Sequence, residues 1–397
     1  MSTRESIDLL VIGAGCAGLS LATQLAKLER MGSKVPSTIL VDRRAEYVDD
    51  RTWCFWEPPT SKNQGSNQMW DSWEFSDGNN RVIHCGNSDW AYHYTNALDF
   101  YQTCIQSIEQ SKSQSLHLNQ SVKKIKKTSQ GYLVSTTNRT YIAKNIVDTR
   151  PWSAAPDRDV LLNQIFYGLV IDTSELNMAV PNRAMLMTDM SVDEYGFKFN
   201  YILPLSKNRI LIEVTRFTAH DLAPESLAAN CYALSRNMTK NKVPCILRVE
   251  SGNIPMGLGS ISKSSQNYVY SGVTAGAARA STGYAFQRIG KWAKHCAVHL
   301  VEHGNPCSAP KDPTLIHWMD TVFLQTIKRN PKVAPKLFMS LAENLDASKL
   351  VRFLTDKPTY RDLFSVMTAL PVKSLLKSAI IDLSRRAQKK YQRVREA

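Results

Sequence analysis

The chain has 397 residues, 43% of them hydrophobic and 21% charged, with a formal net charge of +14. That length fits two or three domains around a sizeable core, and the composition excludes a disordered or low-complexity protein. The positive excess predicts an anionic partner surface; with no nucleic-acid recognition motif present, the expected surface is an acidic membrane face and no nucleic acid.

The eight cysteines are scattered without a CxxC pair. They show no metal-type spacing either, and free thiols in a reducing cytoplasm fit this pattern best. No signal-peptide pattern and no bilayer-length apolar stretch is read in the sequence. The expected location is therefore cytoplasmic, peripheral on the inner membrane.

Residues 7–12 are apolar apart from Asp8 and read as a buried parallel strand. The loop Gly13-Ala14-Gly15-Cys16-Ala17-Gly18 follows. A helix over 17–29 then carries Leu19, Ala22, Leu25 and Ala26 on one face, and 38–41 is the second strand, ending at Asp42. This is a dinucleotide-binding βαβ unit. Gly13 permits the tight turn, Gly15 lets the backbone approach a pyrophosphate, and Gly18 lets the helix pack on the sheet. The helix N-terminus offers amides to the phosphates. Asp42 is placed to accept a ribose hydroxyl. The bland alternative is a glycine-rich turn without a nucleotide, and the loop alone does not separate FAD from NAD.

Further along, 63–67 reads as a polar loop, 70–84 as antiparallel strands and 97–109 as a helix. Residues 116–147 are hairpin-like, and a strand over 145–148 ends in Asp148-Thr149-Arg150, a loop that returns toward the cofactor. From 165 to 216 the pattern is β-rich, with a hairpin of 197–205 and 210–217 across 206–208. That hairpin holds Ile210-Leu211-Ile212-Glu213-Val214. A carboxylate in a dry strand is costly, so it is paired or neutral. A neutral acid in an oily site can protonate a hydrocarbon. The plain alternative is a solvated edge-strand glutamate, or one paired with Arg216.

Residues 268–272 read as a last strand of the nucleotide domain. The small-residue stretch from Gly272 through Gly276 to Arg279 can pass close to a flavin, which favours FAD. A helix over 282–303 carries His295, His299 and His303 on one face; with no convergent acid or cysteine, a packed or solvated face is expected and no metal. From 313 the chain is helical and increasingly basic. Leu375, Leu376, Ala379, Ile380 and Leu383 share a face among lysines and arginines, fitting an interfacial helix. The alternative docks that helix on the core and leaves a basic tail containing Arg385, Arg386, Lys389, Lys390, Arg393 and Arg395.

Five segments carry a family resemblance: Arg51-Thr52-Trp53-Cys54-Phe55-Trp56, Asp148-Thr149-Arg150, Tyr201-Ile202-Leu203-Pro204-Leu205, Leu211-Ile212-Glu213-Val214-Thr215 and Thr282-Gly283-Tyr284-Ala285-Phe286-Gln287. In that order after the Gly13 loop, they resemble the bacterial lycopene β-cyclase family of flavoproteins. The stretch from His317-Trp318-Met319-Asp320 to Pro371-Val372 is also similar to that family's C-terminal part. Val214 departs from the family, which often has an acid there, and more weight falls on Glu213.

The resemblance implies an α/β fold: an FAD-binding, Rossmann-like, doubly wound domain interrupted by a β-rich substrate domain, with a helical C-terminal region. The expected boundaries are 1–60, 95–160 and 255–310 for the FAD domain, 61–94 and 161–254 for the substrate domain, and 311–397 for the helical region. It implies redox-neutral closure of both ends of lycopene into β-ionone rings, giving β-carotene via γ-carotene. It implies reduced FAD as cofactor, with NADPH as the electron source. Arg51, Asp148, Thr282 and Gly283 then join Gly13, Gly15, Gly18, Asp42, Gly272 and Gly276 as cofactor-binding candidates.

Cyclisation needs an acid, a shield from water and an electron-rich wall beside a cation. Glu213 is the expected acid. Trp53, Phe55, Trp56, Tyr201 and Tyr284 are the candidate cation-steadying rings, each with core packing as its alternative. Reduced flavin serves as base or cation stabiliser. Rival readings are a flavin-dependent isoprenoid reductase or hydroxylase, and a non-catalytic carotenoid-binding flavoprotein. Whether one or both ends are closed, the ring type and the oligomeric state are open at this level.

Overall fold

The computed structural model describes residues 4–60, 67–151, 160–176, 182–258 and 264–382. The polar loop at 63–67 falls mostly outside these, as do Leu383 and the basic tail. The first strand, Arg4–Ile12, sits at the centre of a seven-stranded sheet. It pairs in parallel with Thr38–Val41 on one side and Thr140–Asp148 on the other. Gln114–His117 and Tyr268–Tyr270 extend the parallel set. An antiparallel pair, Gly131–Ser135 and Lys124–Thr128, shares the outer edge of Thr140–Asp148 with Tyr268–Tyr270.

The central strand is buried on both faces, which is why its sequence is a near-continuous apolar run. Leu9 and Val11 face the helices Cys16–Arg30, Ala97–Glu109 and Phe286–His303, packing with Leu25, Tyr101 and Ala297. Leu10 and Ile12 face the opposite cluster with Val41, Tyr132 and Ile146. One element starts later than the sequence implies. The helix expected over 282–303 begins at Phe286, because Gly283 adopts φ +72° and ends a turn that returns to Arg279.

A second seven-stranded sheet runs in the order Cys245–Leu258, Val160–Asp172, Arg209–Thr218, Gly196–Ser206, Ala184–Asp193, Ser72–Ser76, Arg81–Cys85. It is antiparallel except where Ala184–Asp193 meets Ser72–Ser76. Arg209–Thr218 is an interior strand, and every residue after Arg209 is buried. Ile210, Ile212 and Val214 face the helix Ala228–Met238. Leu211, Glu213, Thr215 and Phe217 face the other way, toward the helices Thr314–Arg329, Ala334–Asn344 and Ala347–Leu354. A small sheet of Thr52–Glu57, Ala91–Asn96 and Gln68–Trp70 completes the set.

The C-terminal helices are tied to the rest by a buried ion pair. Arg279 Nε and Nη2 each lie 3.1 Å from Asp320, and both side chains are almost fully enclosed. Ser281 donates to the same carboxylate at 2.8 Å, and Arg279 also donates to the Phe353 carbonyl. Removing Asp320 leaves the buried Arg279 charge with the more distant Asp356, 3.8 Å from Nη1, so Asp320→Ala is expected to cost about 3 kcal/mol of stability. Denaturant unfolding of the variant checks this; a loss under about 1 kcal/mol would show the pair to be dispensable.

The last described helix, Val372–Asp382, follows Tyr360–Ala369 after a 111° bend. Its polar Ser378 and Asp382 are buried, and Asp382 accepts from Gln325. Its apolar Val372, Leu376 and Ile380 are exposed at 60%, 54% and 55%. Tyr360 and Phe364 on the preceding helix are exposed at 89% and 69%. Leu375 and Ala379 point inward to a cavity whose lining also reaches the exposed Val372 and Leu376. The apolar face expected from the sequence is thus split between the cavity and the outside. Among the described residues no single helix is long and apolar enough to cross a membrane.

Candidate active site

One continuous cavity of about 1160 Å³ joins the two large sheets. That exceeds the roughly 300–1,000 Å³ usual for a single small-molecule site. Its walls include the Gly13 loop, the inner face of the second sheet and the C-terminal helices.

The nucleotide loop follows from local geometry. Gly13 has φ +93°, and its carbonyl accepts from Thr149 Oγ1 at 2.8 Å. A Cβ on Gly18 would lie 2.1 Å from the Gly13 carbonyl oxygen, so only glycine lets the helix approach. A Cβ on Gly15 would meet nothing nearer than Arg44 Nη2 at 4.0 Å; it would project into the cavity. The helix Cys16–Arg30 starts there with no side-chain cap and no acid in its first turn. Its unpaired amides are free to receive an anion. Asp42 accepts from Ala14 N at 2.7 Å and from Arg44 N and Nε at 2.9 and 3.2 Å. A carboxylate has about four acceptor positions, so one is left for a hydroxyl.

The other cofactor candidates separate into two groups. Gly272, Thr282 and Gly283 line the cavity, as do Thr149 and Arg150. Asp148 instead faces Arg150 at 2.7 Å and the Tyr268 hydroxyl at 2.8 Å. Gly276, at φ +85°, shapes the turn behind the wall, and Gly18 lies under the loop. Arg51 lines the cavity next to the second sheet, where Nη1 donates to the Ser251 carbonyl at 2.7 Å.

Glu213 lies on the cavity wall, 9% exposed, directly across from Gly168 and Tyr201 on the neighbouring strands. Its Oε1 accepts from Thr215 Oγ1 at 2.8 Å. Burial, then the nearby Glu250 carboxylate, push its pKa up to about 8, against smaller opposing effects of Thr215 and Arg51. The suggested Arg216 partner lies on the opposite strand face and is held by Asp193 at 2.6 Å.

Aromatic rings crowd the same wall. Trp56 packs on Tyr92 at 4.5 Å and on Tyr284 at 5.2 Å, and the Tyr92 and Tyr201 hydroxyls are 2.8 Å apart. Burial holds both of these phenols well above their usual range, so they stay neutral. Trp53 lines the cavity and stacks on Phe286 at 5.3 Å. Phe55, one residue out of phase with Trp56, stacks on His93 and Phe286 instead. Trp56, Trp318 and Gln164 line the cavity, and their Nε1, Nε1 and Oε1 atoms are buried without a hydrogen-bond partner among the described residues.

Glu250 escaped the sequence reading. It is 4% exposed and lines the cavity two strands from Glu213. Its strand is a sheet edge whose apolar Leu247 and Val249 face outward at 44% and 46%. The usual apolar-in alternation therefore points to the wrong face. Tyr92 was missed as well; its signal was its place in the unbroken Ala91-Tyr92-His93-Tyr94 run, all of it buried.

The architecture is a fold shared with FAD-dependent monooxygenases and reductases. The chain superimposes on a probable FAD-dependent monooxygenase from Pseudomonas aeruginosa with a TM-score of 0.53, at 14% identity, over 89% of this chain and 100% of that one. A geranylgeranyl bacteriochlorophyll reductase-like protein from Thermoplasma acidophilum gives 0.58, at 13% identity, over 96% of this chain and 100% of that one. The lycopene cyclase protein family model matches residues 8–380, and the chain belongs to that family. A lycopene β-cyclase from Paracoccus sp. is 37% identical over 109 residues, which is 26% of this chain and 27% of the relative.

Proposed function

We propose that this protein is a lycopene β-cyclase that closes the linear ends of lycopene into β-ionone rings. The observation that carries the reading is Glu213, an acid biased toward its neutral form in the wall of a largely apolar cavity. In this reading Glu213 donates its proton to the terminal alkene. The tertiary cation is attacked by the internal double bond, and the ring cation then loses a proton. Product and substrate are isomers. Trp56, Tyr92, Tyr201 and Tyr284 present neutral rings to the cation and exclude water. Expression in lycopene-accumulating bacteria tests the reading: β-carotene with γ-carotene is expected, and unchanged lycopene would favour a carrier.

We assign nucleotide binding to the first sheet with its helices, and substrate binding to the second sheet with the C-terminal helices. The residues present fit FAD. Gly13, Gly15 and the amides of the Cys16–Arg30 helix would hold the pyrophosphate, and Asp42 with Arg44 the ribose side. Reduced FAD, when bound, supplies a base or a fixed negative charge near the cation without net electron transfer. NADPH is the proposed reductant, and one NADPH consumed per ring would instead favour a reductase or hydroxylase. Gly15→Val is expected to abolish binding, because the side chain would occupy the pyrophosphate's space. Chromatography of heat-released cofactor checks this; retained FAD in the variant would refute the placement.

Lycopene dissolves in bilayers, so the proposal includes a peripheral seat on a cytoplasmic, anionic membrane face. The outward Tyr360 and Phe364 border the cavity-lining Met367, Leu370, Leu375, Val372 and Leu376, the last two of which are also exposed. Exposed Lys357, Arg361, Lys373 and Lys377 surround them. That combination suits insertion at the headgroup level.

A further inference from the structure

Two buried glutamates meet over one glycine. In the second sheet Gly168 pairs with Glu213 on one side and with Glu250 on the other. A Cβ on Gly168 would lie 3.3 Å from Glu213 Cβ and 3.3 Å from Glu250 Cγ. The missing side chain therefore leaves a bare strip of backbone across which the two acids face each other.

Their surroundings differ. Glu250 Oε2 accepts from Thr52 Oγ1 at 3.0 Å and lies 3.3 Å from Arg248 Nη2. Arg248 is enclosed and also bonds Asp49 at 2.7 Å. Among the described residues, the Thr215 hydroxyl is the one side chain that hydrogen-bonds Glu213. Arg51 reaches both acids from the segment before Thr52–Glu57. The Cys231 thiol beneath Glu213 and the Cys54 thiol above it feel its charge, and burial keeps both thiols neutral, each pushed up to about 12. Burial pushes the Glu250 carboxyl up as well, and Asp49, the other anion facing it, adds to this, while Arg248, Thr52 and Arg51 pull it back toward the ionised form.

We propose that Glu250 is a positioning residue for the acid: held ionised by Arg248 and Thr52, it is the fixed negative charge that keeps Glu213 protonated. The idea rests on the reading of Glu213 as proton donor. Two carboxylates in one low-dielectric site resist double ionisation, so the better-paired one ionises and its neighbour keeps the proton. Gly168 supplies the close approach, and Arg248 decides which of the two carries the charge.

The test reads protonation directly. In infrared pH titrations of the folded, FAD-loaded protein, the protonated-carboxyl band of Glu213 is identified by its loss in Glu213→Gln. Glu250→Gln is expected to move the midpoint of that band acid-ward by about one unit or more. The alkaline limb of ring formation moves with it. Glu250→Asp keeps the charge and is expected to shift the midpoint much less. Where Glu250→Gln fails to fold because Arg248 is left unpaired, the double variant Glu250→Gln with Arg248→Met is read by the same criterion. An unmoved or alkaline-shifted midpoint, or an equal shift from Glu250→Asp and Glu250→Gln, overturns the proposal. The band titrates whether or not lycopene is the substrate, so failure here is separable from failure of the cyclase reading.

Discussion

Glu213→Gln is expected to leave a folded protein that retains FAD, binds lycopene and forms almost no rings. The amide keeps the size of the side chain and its bond to Thr215 but has no proton to give. General acids are commonly worth about 10² to 10⁴ in rate, and a hydrocarbon in a dry cavity offers water little chance to substitute. Glu213→Asp is expected to keep part of the activity, since the acid remains one methylene short. Wild-type activity is expected to fall as pH rises through about 8, where Glu213 loses its proton. Stability carries the same sign. The folded state holds a proton that the unfolded chain releases near the ordinary value of 4.5, so this site's stabilising effect is fully present below 4.5 and is lost as pH rises toward 8. Glu213→Gln is expected to flatten that slope. Pigment analysis of a well-folded variant is decisive: near-normal β-carotene would remove Glu213 from the acid's role.

Replacing the outward aromatics is expected to have the second large effect. Tyr360→Glu with Phe364→Glu puts two charges on a face exposed at 89% and 69% that is not part of the cavity wall. Burying such a side chain contributes about 1.5–3 kcal/mol, or about tenfold or more in partition for each. Vesicle binding is therefore expected to fall by about 10²-fold while FAD content stays normal. High salt is expected to weaken wild-type binding to anionic vesicles, because the surrounding lysines and arginines act through a screened field. Equal flotation with neutral and anionic lipid would remove the electrostatic part. Unchanged flotation of the double variant would move the contact elsewhere.

What was legible in the sequence was local. The strand, the glycine loop, the helix and Asp42 lie within some forty consecutive positions, and each residue's reason for being there is set by its neighbours. Glu213 was legible because its strand is buried on both faces, so its flanks are oily without interruption. Glu250 was not, because an edge strand can turn its apolar residues outward. The Arg279–Asp320 pair joins segments 41 positions apart, and no periodicity links them. The helix Val372–Asp382 shows the same limit. A hydrophobic stripe reveals that two faces differ, but which one faces the protein is decided by the partners, here Gln325 and the cavity.

In the proposed cyclase reading the cavity presents one proton donor, Glu213, whereas lycopene has two equivalent ends. A molecule closed at one end must leave, reverse and enter again to be closed at the other. On that proposal the enzyme is expected to work as a distributive catalyst, with the half-finished pigment a free species shared among all copies. Its peak level is set by competition with unreacted lycopene for the same mouth. Raising the substrate-to-enzyme ratio is therefore expected to delay the bicyclic product and enrich the monocyclic one, and a fixed ratio of the two across dilutions would point to transfer between paired subunits.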